Sequence, residues 1–476
     1  MSTCSFERFS SRWSVILAVL IALAPCMCFA RQPNIVLVLI DDMGWPHLGC
    51  YGATYYESPQ IDAVAAGGCR FTNFYAAGAV CSPTRASIQS GQYQARLGIT
   101  DFIPGHSHPY AKLKVPAVQA ELPLDVETPA EALQKLGYAT GYFGKWHLGG
   151  VDHEPHVQGY DESIVTSGRH FGFRTSPPQK TVTGEYLADF LTNQTVEFIR
   201  RHRDQPFFVQ ISHFAVHIPL EAKPEAIRHF EEKTKPDSLL AHPTYAAMVK
   251  HVDDSIGRII KSLKDLKLEQ ETLLVITSDN GGLRQSANGG MQISENSPLR
   301  NEKGSLYEGG IRVPLIIRWP GHVTEGAVCE EPTISIDFWP TFLDVAGGNV
   351  SAVNHPLDGL SLLPLFSDAT ARLDRNAIYF HYPHYHHSTP AGAIRSGDWK
   401  LIEFFETGQV ELYHLSDDIG ETEDLASVNP DLAAKLQKQL AQWRTSVNAR
   451  MPVPNPEFDA AREHEMSRRK GKGEGE

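Results

Sequence analysis

Apolar runs that stop abruptly at polar residues punctuate most of this chain. Asn34–Ile40 is rich in Val, Leu and Ile, as in a strand buried on both faces, and Asp41-Asp42 follows at once. The pattern recurs. Tyr138–Phe143 leads into Gly144-Lys145-Trp146-His147, and Phe207–Ile211 runs towards His213 and His217. Thr272–Thr277 ends at Ser278-Asp279-Asn280-Gly281-Gly282, and Val313–Ile317 follows the segment that holds Lys303. Amphipathic helical spacing separates these runs at Thr128–Leu136, Tyr186–Arg200 and Tyr245–Leu266. Such alternation predicts an α/β fold with a large, mainly parallel or mixed sheet sandwiched by helices. Ligands collect beyond the carboxyl ends of such strands. Four strand ends carrying Asp, Asn, Lys or His are therefore expected to converge on one site.

Near Asp374 the texture changes. Ile378–Tyr382, Ala393–Arg395, Lys400–Phe404 and Glu411–His414 are short strand-like pieces between turn residues, and Asp431–Asn448 has helical spacing. A smaller antiparallel sheet with one helix is expected over 374–450, after a main body over 31–373. Residues 451–476 read as a tail, and its charged, Gly-rich end from Arg468 to Glu476 is expected to be disordered.

Composition narrows the class. The chain has 476 residues, 42% hydrophobic and 21% charged, which is room for a large α/β body with a smaller companion. A formal charge of −13 argues against a general nucleic-acid binder, which would present a basic footprint. Arg8 and Arg12 precede the apolar run Val15–Ala24, and Cys28-Phe29-Ala30 offers a small-x-small cleavage site. Residues 1–30 therefore read as a signal peptide, with a secreted or periplasmic destination. The run is too short to span a bilayer and no later segment is long enough, so no transmembrane span is expected. Of the 7 cysteines, Cys50, Cys69, Cys81 and Cys329 lie beyond that leader. A pairing of Cys50 with Cys69 is left open.

The most informative stretch is Cys81-Ser82-Pro83-Thr84-Arg85. It matches the Cys-x-Pro-x-Arg element of sulfatases whose cysteine is oxidised to formylglycine. Further elements agree in kind and in order: Asn34–Gly44 with Asp41-Asp42, Gly144–Gly149, His217-Ile218-Pro219, Ser278–Gly282, and the long block Leu299–Pro314. Over nearly the whole mature chain the sequence resembles the type I, formylglycine-dependent sulfatases of the alkaline phosphatase superfamily. Its motif dialect is similar to that of arylsulfatase A and N-acetylgalactosamine 6-sulfatase relatives.

The resemblance implies a mechanism for which these residue types have physical reasons. Sulfate ester cleavage needs a nucleophile that attacks sulfur and then releases sulfate, and a hydrated aldehyde supplies two hydroxyls on one carbon. Arg85 would hold that nucleophile or a sulfate oxygen. Asp41, Asp42, Asp279 and Asn280 offer only oxygen donors, which suit a hard cation. The resemblance specifies one calcium ion, with the modified Cys81 completing its shell. Lys145 and Lys303 would clamp the sulfate oxygens. His147 would accept the proton of the formylglycine hydroxyl, and His217 would protonate the leaving alcohol, a role shared with Lys303. A maturation enzyme that generates formylglycine is an implied partner, and a sulfated carbohydrate the implied substrate.

The chain departs from the family pattern in places. Thr84 stands where many members have Ser, Ser87–Gln92 differs from the usual Leu-Thr-Gly-Arg ending, and His213 has no assigned role. The His-rich segment His381–His387 lies in the C-terminal part, where it could face a sugar or form a polar surface loop. Two rival functions stay open. One is phosphonate or phosphate ester hydrolysis in the same superfamily; the other is binding of sulfated glycans without catalysis.

Overall fold

The run Asn34–Ile40 forms strand β1 and is buried from end to end. The computed structural model describes residues 1–2, 32–236, 239–286 and 290–468. The signal sequence expected at 1–30 lies, from residue 3 onwards, outside the described residues, and so does the expected disordered end from residue 469.

Eight further strands join β1 in one sheet: Cys69–Phe71 (β2), Ala139–Gly144 (β3), Glu162–Thr166 (β4), Thr175–Ser176 (β5), Phe207–Ser212 (β6), Thr272–Ser278 (β7), Leu315–Arg318 (β8) and Ala327–Cys329 (β9). The strand order is β9-β2-β8-β7-β1-β6-β3-β4-β5. The central four, β7-β1-β6-β3, are all parallel, so their carboxyl ends share one edge. The expected strand at Val313–Ile317 is displaced to Leu315–Arg318 and runs antiparallel to β7, with Leu274 opposite Arg318. It starts near the site and runs away from it, which makes the sheet mixed.

Alternate residues of β1 enter opposite cores, as the period of two demands. Val36, Val38 and Ile40 share a core with helices Pro59–Ala66 (α1), Leu187–Arg201 (α4), Pro224–Glu232 (α5) and Pro243–Asp265 (α6), which contribute Ile61, Phe190, Leu191, Phe230, Val252 and Ile256. Ile35, Leu37 and Leu39 face Cys81–Ser90 (α2), Pro129–Gln134 (α3) and Phe338–Val345 (α7), through Ala86, Ile88, Leu133 and Phe342. Helix α3 starts where its sequence says it should. Thr128 accepts the Glu131 N–H while the Glu131 carboxylate accepts the Thr128 N–H, a reciprocal cap ahead of Pro129.

A second sheet contains Ile378–Tyr382 (β10), Ala391–Ser396 (β11), Trp399–Phe404 (β12) and Val410–His414 (β13), antiparallel in sequential order. Helix Pro430–Ser446 (α8) covers it with Ala433, Leu436, Leu440 and Trp443. The same core takes in Tyr75, Val80, Leu306 and Ile311. Beyond α8 the chain returns to the main body. Val453-Pro454 pairs with Leu113-Lys114, and Ser467-Arg468 with His106-Ser107. Arg468, expected within the disordered end, is therefore strand-paired. Among the described residues all four cysteines are free thiols, which settles the open pairing of Cys50 with Cys69. No described helix is long and apolar enough to cross a membrane.

Candidate active site

The shared edge of β7, β1, β6 and β3 delivers the expected residues together. Asp41 and Asp42 follow β1, Lys145 and His147 follow β3, His217 lies beyond β6, and Asp279 and Asn280 follow β7. Two of these, Asp42 and His147, sit at positive φ (62° and 61°), where non-glycine residues are uncommon. Opposite the strand ends lies Cys81, the first residue of α2, a helix in which all ten residues are buried. Sequence periodicity did not reveal this helix, because a segment buried all round shows no polar face.

Lys303 arrives on a loop pinned at two points. Its N–H donates to the Gly282 carbonyl at 3.2 Å, and the Gly304 N–H donates to the Ala79 carbonyl at 2.8 Å. Gly281 lets this loop pack against the end of β7, since a Cβ there would lie 1.9 Å from the Gly309 carbonyl oxygen. Lys303 Nζ is thereby held 3.5 Å from Cys81 Sγ and 2.7 Å from Asp42 Oδ1. Lys145 Nζ lies 2.5 Å from Asp41 Oδ2, and Cys81 Sγ lies 3.3 Å from Asp41 Oδ1. Arg85 donates through Nε to Asp279 Oδ2 at 2.8 Å and through a terminal nitrogen to the Lys145 carbonyl at 2.6 Å. Three buried carboxylates thus face three buried cations.

Charge placement explains the ionisation of the group. Burial pushes the Asp41 carboxyl up, but Lys145, His217, Arg85 and Lys303 together hold it well below its usual range. Asp42 behaves likewise, with Lys303 and His217 outweighing burial. Asp279 goes the other way: burial and the Asp41 charge raise it to about 7 despite Arg85. Burial opposes the charge on Lys303, yet Asp42 keeps its ammonium above the ordinary value. Burial and the Asp41 charge push the Cys81 thiol up to about 12, so as a thiol it is a poor nucleophile at neutral pH. Burial, reinforced by Lys145, holds His147 well below its usual value. Burial and Lys303 take His217 down to about 4.

Ligating atoms of Asp41, Asp42, Cys81 and His217 all lie within 4.8 Å of one another. Three of the expected ligands are in this group; it also brings in His217, whose Nε2 is 3.6 Å from Asp42 Oδ2, while Asp279 is engaged by Arg85. Asp279 remains adjacent, its Oδ1 accepting the Asp42 N–H at 3.2 Å. Asn280 Oδ1 is buried without a hydrogen-bond partner while its Nδ2 donates to Asp42 Oδ1 at 2.7 Å. An orphaned amide oxygen beside two carboxylates is a donor set that fits a hard cation.

His147 Nε2–H donates to the Ile103 carbonyl at 2.6 Å, since a carbonyl oxygen can only accept. Its Nδ1 is buried without a partner. Ser82, which sequence reasoning passed over, anchors this corner. Its hydroxyl donates to the His147 carbonyl at 2.9 Å and accepts the Ile103 N–H at 3.1 Å. The Thr84 departure is accommodated: its hydroxyl donates to the Gly78 carbonyl (3.1 Å) and accepts the Gly78 N–H (3.0 Å). His213 lies apart from the site, fully buried, with Nε2 3.0 Å from the Ser255 hydroxyl.

Comparison with known proteins agrees with this geometry. The family model described as Sulfatase matches residues 33–348, and that of the N-sulphoglucosamine sulphohydrolase C-terminal region matches residues 301–446. The chain is similar to arylsulfatase A of Homo sapiens, at 31% identity over 91% of each chain. It is also similar to N-acetylgalactosamine-6-sulfatase of Homo sapiens, at 32% identity over 74% of this chain and 68% of that one. The crystal structure of Ps i-CgsB in complex with k-i-k-neocarrahexaose superposes with a TM-score of 0.74 at 28% identity, covering 90% of this chain and 95% of that one. With its site built on the matched segments, the chain belongs to the sulfatase family and is a sulfuric ester hydrolase.

Proposed function

We propose that this protein is an exported, calcium-dependent sulfatase that removes sulfate from sulfated carbohydrates through a formylglycine formed at Cys81. One observation carries the reading. The Cys81 side chain starts a buried helix within reach of both a carboxylate (Asp41) and an ammonium (Lys303), in a pocket where its own thiol is too weakly acidic to act. Conversion of the side chain to an aldehyde hydrate removes that obstacle, because one hydroxyl attacks sulfur and the other reforms the carbonyl to expel sulfate.

Asp41, Asp42, Asp279 and Asn280 would hold calcium, which supplies positive charge against a sulfate oxygen. The chain's own groups do the rest. In the reading Lys145 and Lys303 turn from the carboxylates towards the sulfate oxygens as charge accumulates there. Arg85 holds the nucleophile through its position beside Cys81. His147 presents the bare Nδ1 as proton acceptor for sulfate release, with Nε2–H fixed on the Ile103 carbonyl. His217, with Lys303, serves the leaving alcohol, and its Nδ1 is anchored by donation to the Ile218 carbonyl at 2.6 Å.

The reading divides the chain into a leader at 1–30, a catalytic body at 31–373, a C-terminal subdomain at 374–450 and a tail at 451–476. Export fits a partner that installs the formylglycine before release. The test is sulfate release from a panel of defined sulfated saccharides, with matched phosphonate and phosphate esters alongside. Faster turnover of the phosphorus esters, or tight saccharide binding without sulfate release, would overturn the assignment.

A further inference from the structure

Beside Lys303 the loop at 100–108 meets the loop at 384–387. The His106 and His386 rings lie 5.5 Å apart, and Phe102 packs edge-on against His106 at 4.8 Å and against His386 at 6.1 Å. His108 stands 5.3 Å from the Tyr385 ring. His387 Nδ1 contacts the Lys303 carbonyl at 2.7 Å and His386 Nδ1 at 3.0 Å. Gly304 makes this approach possible: its φ is +80°, and a Cβ there would lie 2.1 Å from His386 Nδ1. His106, His386 and His387 are all partly exposed.

We propose that His106, His386 and His387, with Phe102 as a platform, form a subsite next to the Lys303 clamp that takes a second anionic group, sulfate or carboxylate, of a polyanionic glycan. The inference rests on the sulfatase reading for the neighbouring site.

The tautomers follow from the contacts. A carbonyl only accepts, so His387 Nδ1 must carry the proton that it gives to Lys303. His386 Nδ1 then accepts, and the neutral His386 ring presents its Nε2–H as a donor. After burial, His387, Lys303, His106 and His108 hold its proton affinity well below the ordinary value. Two nearby carboxylates have partners of their own. Asp101 accepts from Tyr382 at 3.0 Å, and Glu406 accepts from Tyr385 at 2.5 Å with Lys112 3.7 Å away. An imidazole donor close to the Lys303 ammonium, lined by an aromatic ring, suits an anionic substituent on a sugar better than a bare hydroxyl.

Two further features support a built site. His384 Nε2 is 2.8 Å from the Thr100 hydroxyl, joining the two loops. The tail straps the first loop from outside: Asn455 Nδ2 donates to the Pro109 and Ala111 carbonyls at 2.9 and 2.7 Å, and Arg462 lies 3.6 Å over the Tyr110 ring.

The test uses Cys81→Ala protein, so that binding is read without turnover. Calorimetry would compare a monosulfated disaccharide, its disulfated counterpart and its uronate-containing counterpart. Adding His106→Ala and His386→Ala should weaken binding of the two polyanionic ligands about ten- to a hundredfold, the range for hydrogen bonds to charged groups, and change the monosulfated one by less than about twofold. His386→Gln, which keeps a donor near Nε2, should restore part of the loss. A loss confined to the disulfated or to the uronate ligand identifies which anion the subsite takes. Equal losses on all three ligands, or none, would overturn the proposal. In the Cys81 background, turnover of an aryl sulfate by the double histidine variant should match that of the parent. No turnover by the parent itself would instead count against the sulfatase reading and leave the calorimetry decisive for the subsite.

Discussion

Lys400→Met should destabilise this protein through charge rather than shape. Lys400 is on β12 of the second sheet, completely buried, with Nζ 2.8 Å from Glu308 on the Lys303 side of the molecule and 2.8 Å from Glu421. Glu308 keeps Arg312 at 3.1 Å and the Tyr75 hydroxyl at 2.8 Å when the lysine is gone. Glu421 keeps only the Glu308 N–H, at 2.7 Å, among the partners named here. Removing one member of a buried pair costs about 3–5 kcal/mol, since the other charge is left uncompensated. At roughly 2 cal/mol/K per residue, a chain this long shifts by only about 1 °C per kcal/mol, so Tm should fall about 3–5 °C.

The loss should also depend on pH. Burial, then Glu308, raises Glu421 to about 7 even with Lys400 present, while Lys400 and Arg312 hold Glu308 down at about 2 against burial. A carboxyl raised in the folded state favours folding fully below its unfolded value, near 4.5, and loses that contribution as pH climbs through about 7. Without Lys400 both carboxyls move further up. The variant should therefore lose less at pH 5.5 than at pH 8, and Glu421→Gln should rescue part of the loss at pH 8. Thermal melts of both variants and the pair, at both pH values, make the double-mutant cycle. A loss that is the same at both pH values, with no rescue, would refute the charge argument.

Three other outcomes follow from the site. His217→Ala should damage hydrolysis of a sugar sulfate about 10²–10⁴-fold more than that of nitrophenyl sulfate, whose phenolate leaves unaided, whereas His147→Ala should slow both and accumulate sulfated enzyme visible by mass spectrometry. Chelation should abolish turnover and lower Tm, and calcium should restore both; a site filled to 100 times its Kd contributes about 2.7 kcal/mol, or about 3 °C here. Thr84→Ala removes two buried hydrogen bonds to Gly78 and should cost about 1–3 kcal/mol in chemical denaturation, while Thr84→Ser keeps the hydroxyl and should cost little.

The parts legible in the sequence were those with a strong local signal. β1 was readable because seven residues alternate between two apolar cores and so cannot be polar on either side. Its neighbours were readable for the same reason, and each ends in the chemistry it delivers. The direction of β8 was hidden, because a run of Leu and Ile buried on both faces reads the same from either end. The nearness of His217 to Asp42, and the Arg85 guanidinium that engages Asp279 from nearly two hundred positions earlier in the chain, were also hidden, because contacts so distant in sequence leave no local pattern. His106 and the tail that braces its loop carried no local mark, since a two-residue strand pairing leaves almost no pattern to read.

Formylglycine formation at Cys81 is tested by peptide mass spectrometry of protein purified from the native host, with sulfate release assayed on the same sample. The expected result is the aldehyde mass at position 81, activity proportional to the converted fraction, and none in Cys81→Ala. Full sulfate release from protein in which Cys81 is an intact thiol would contradict it.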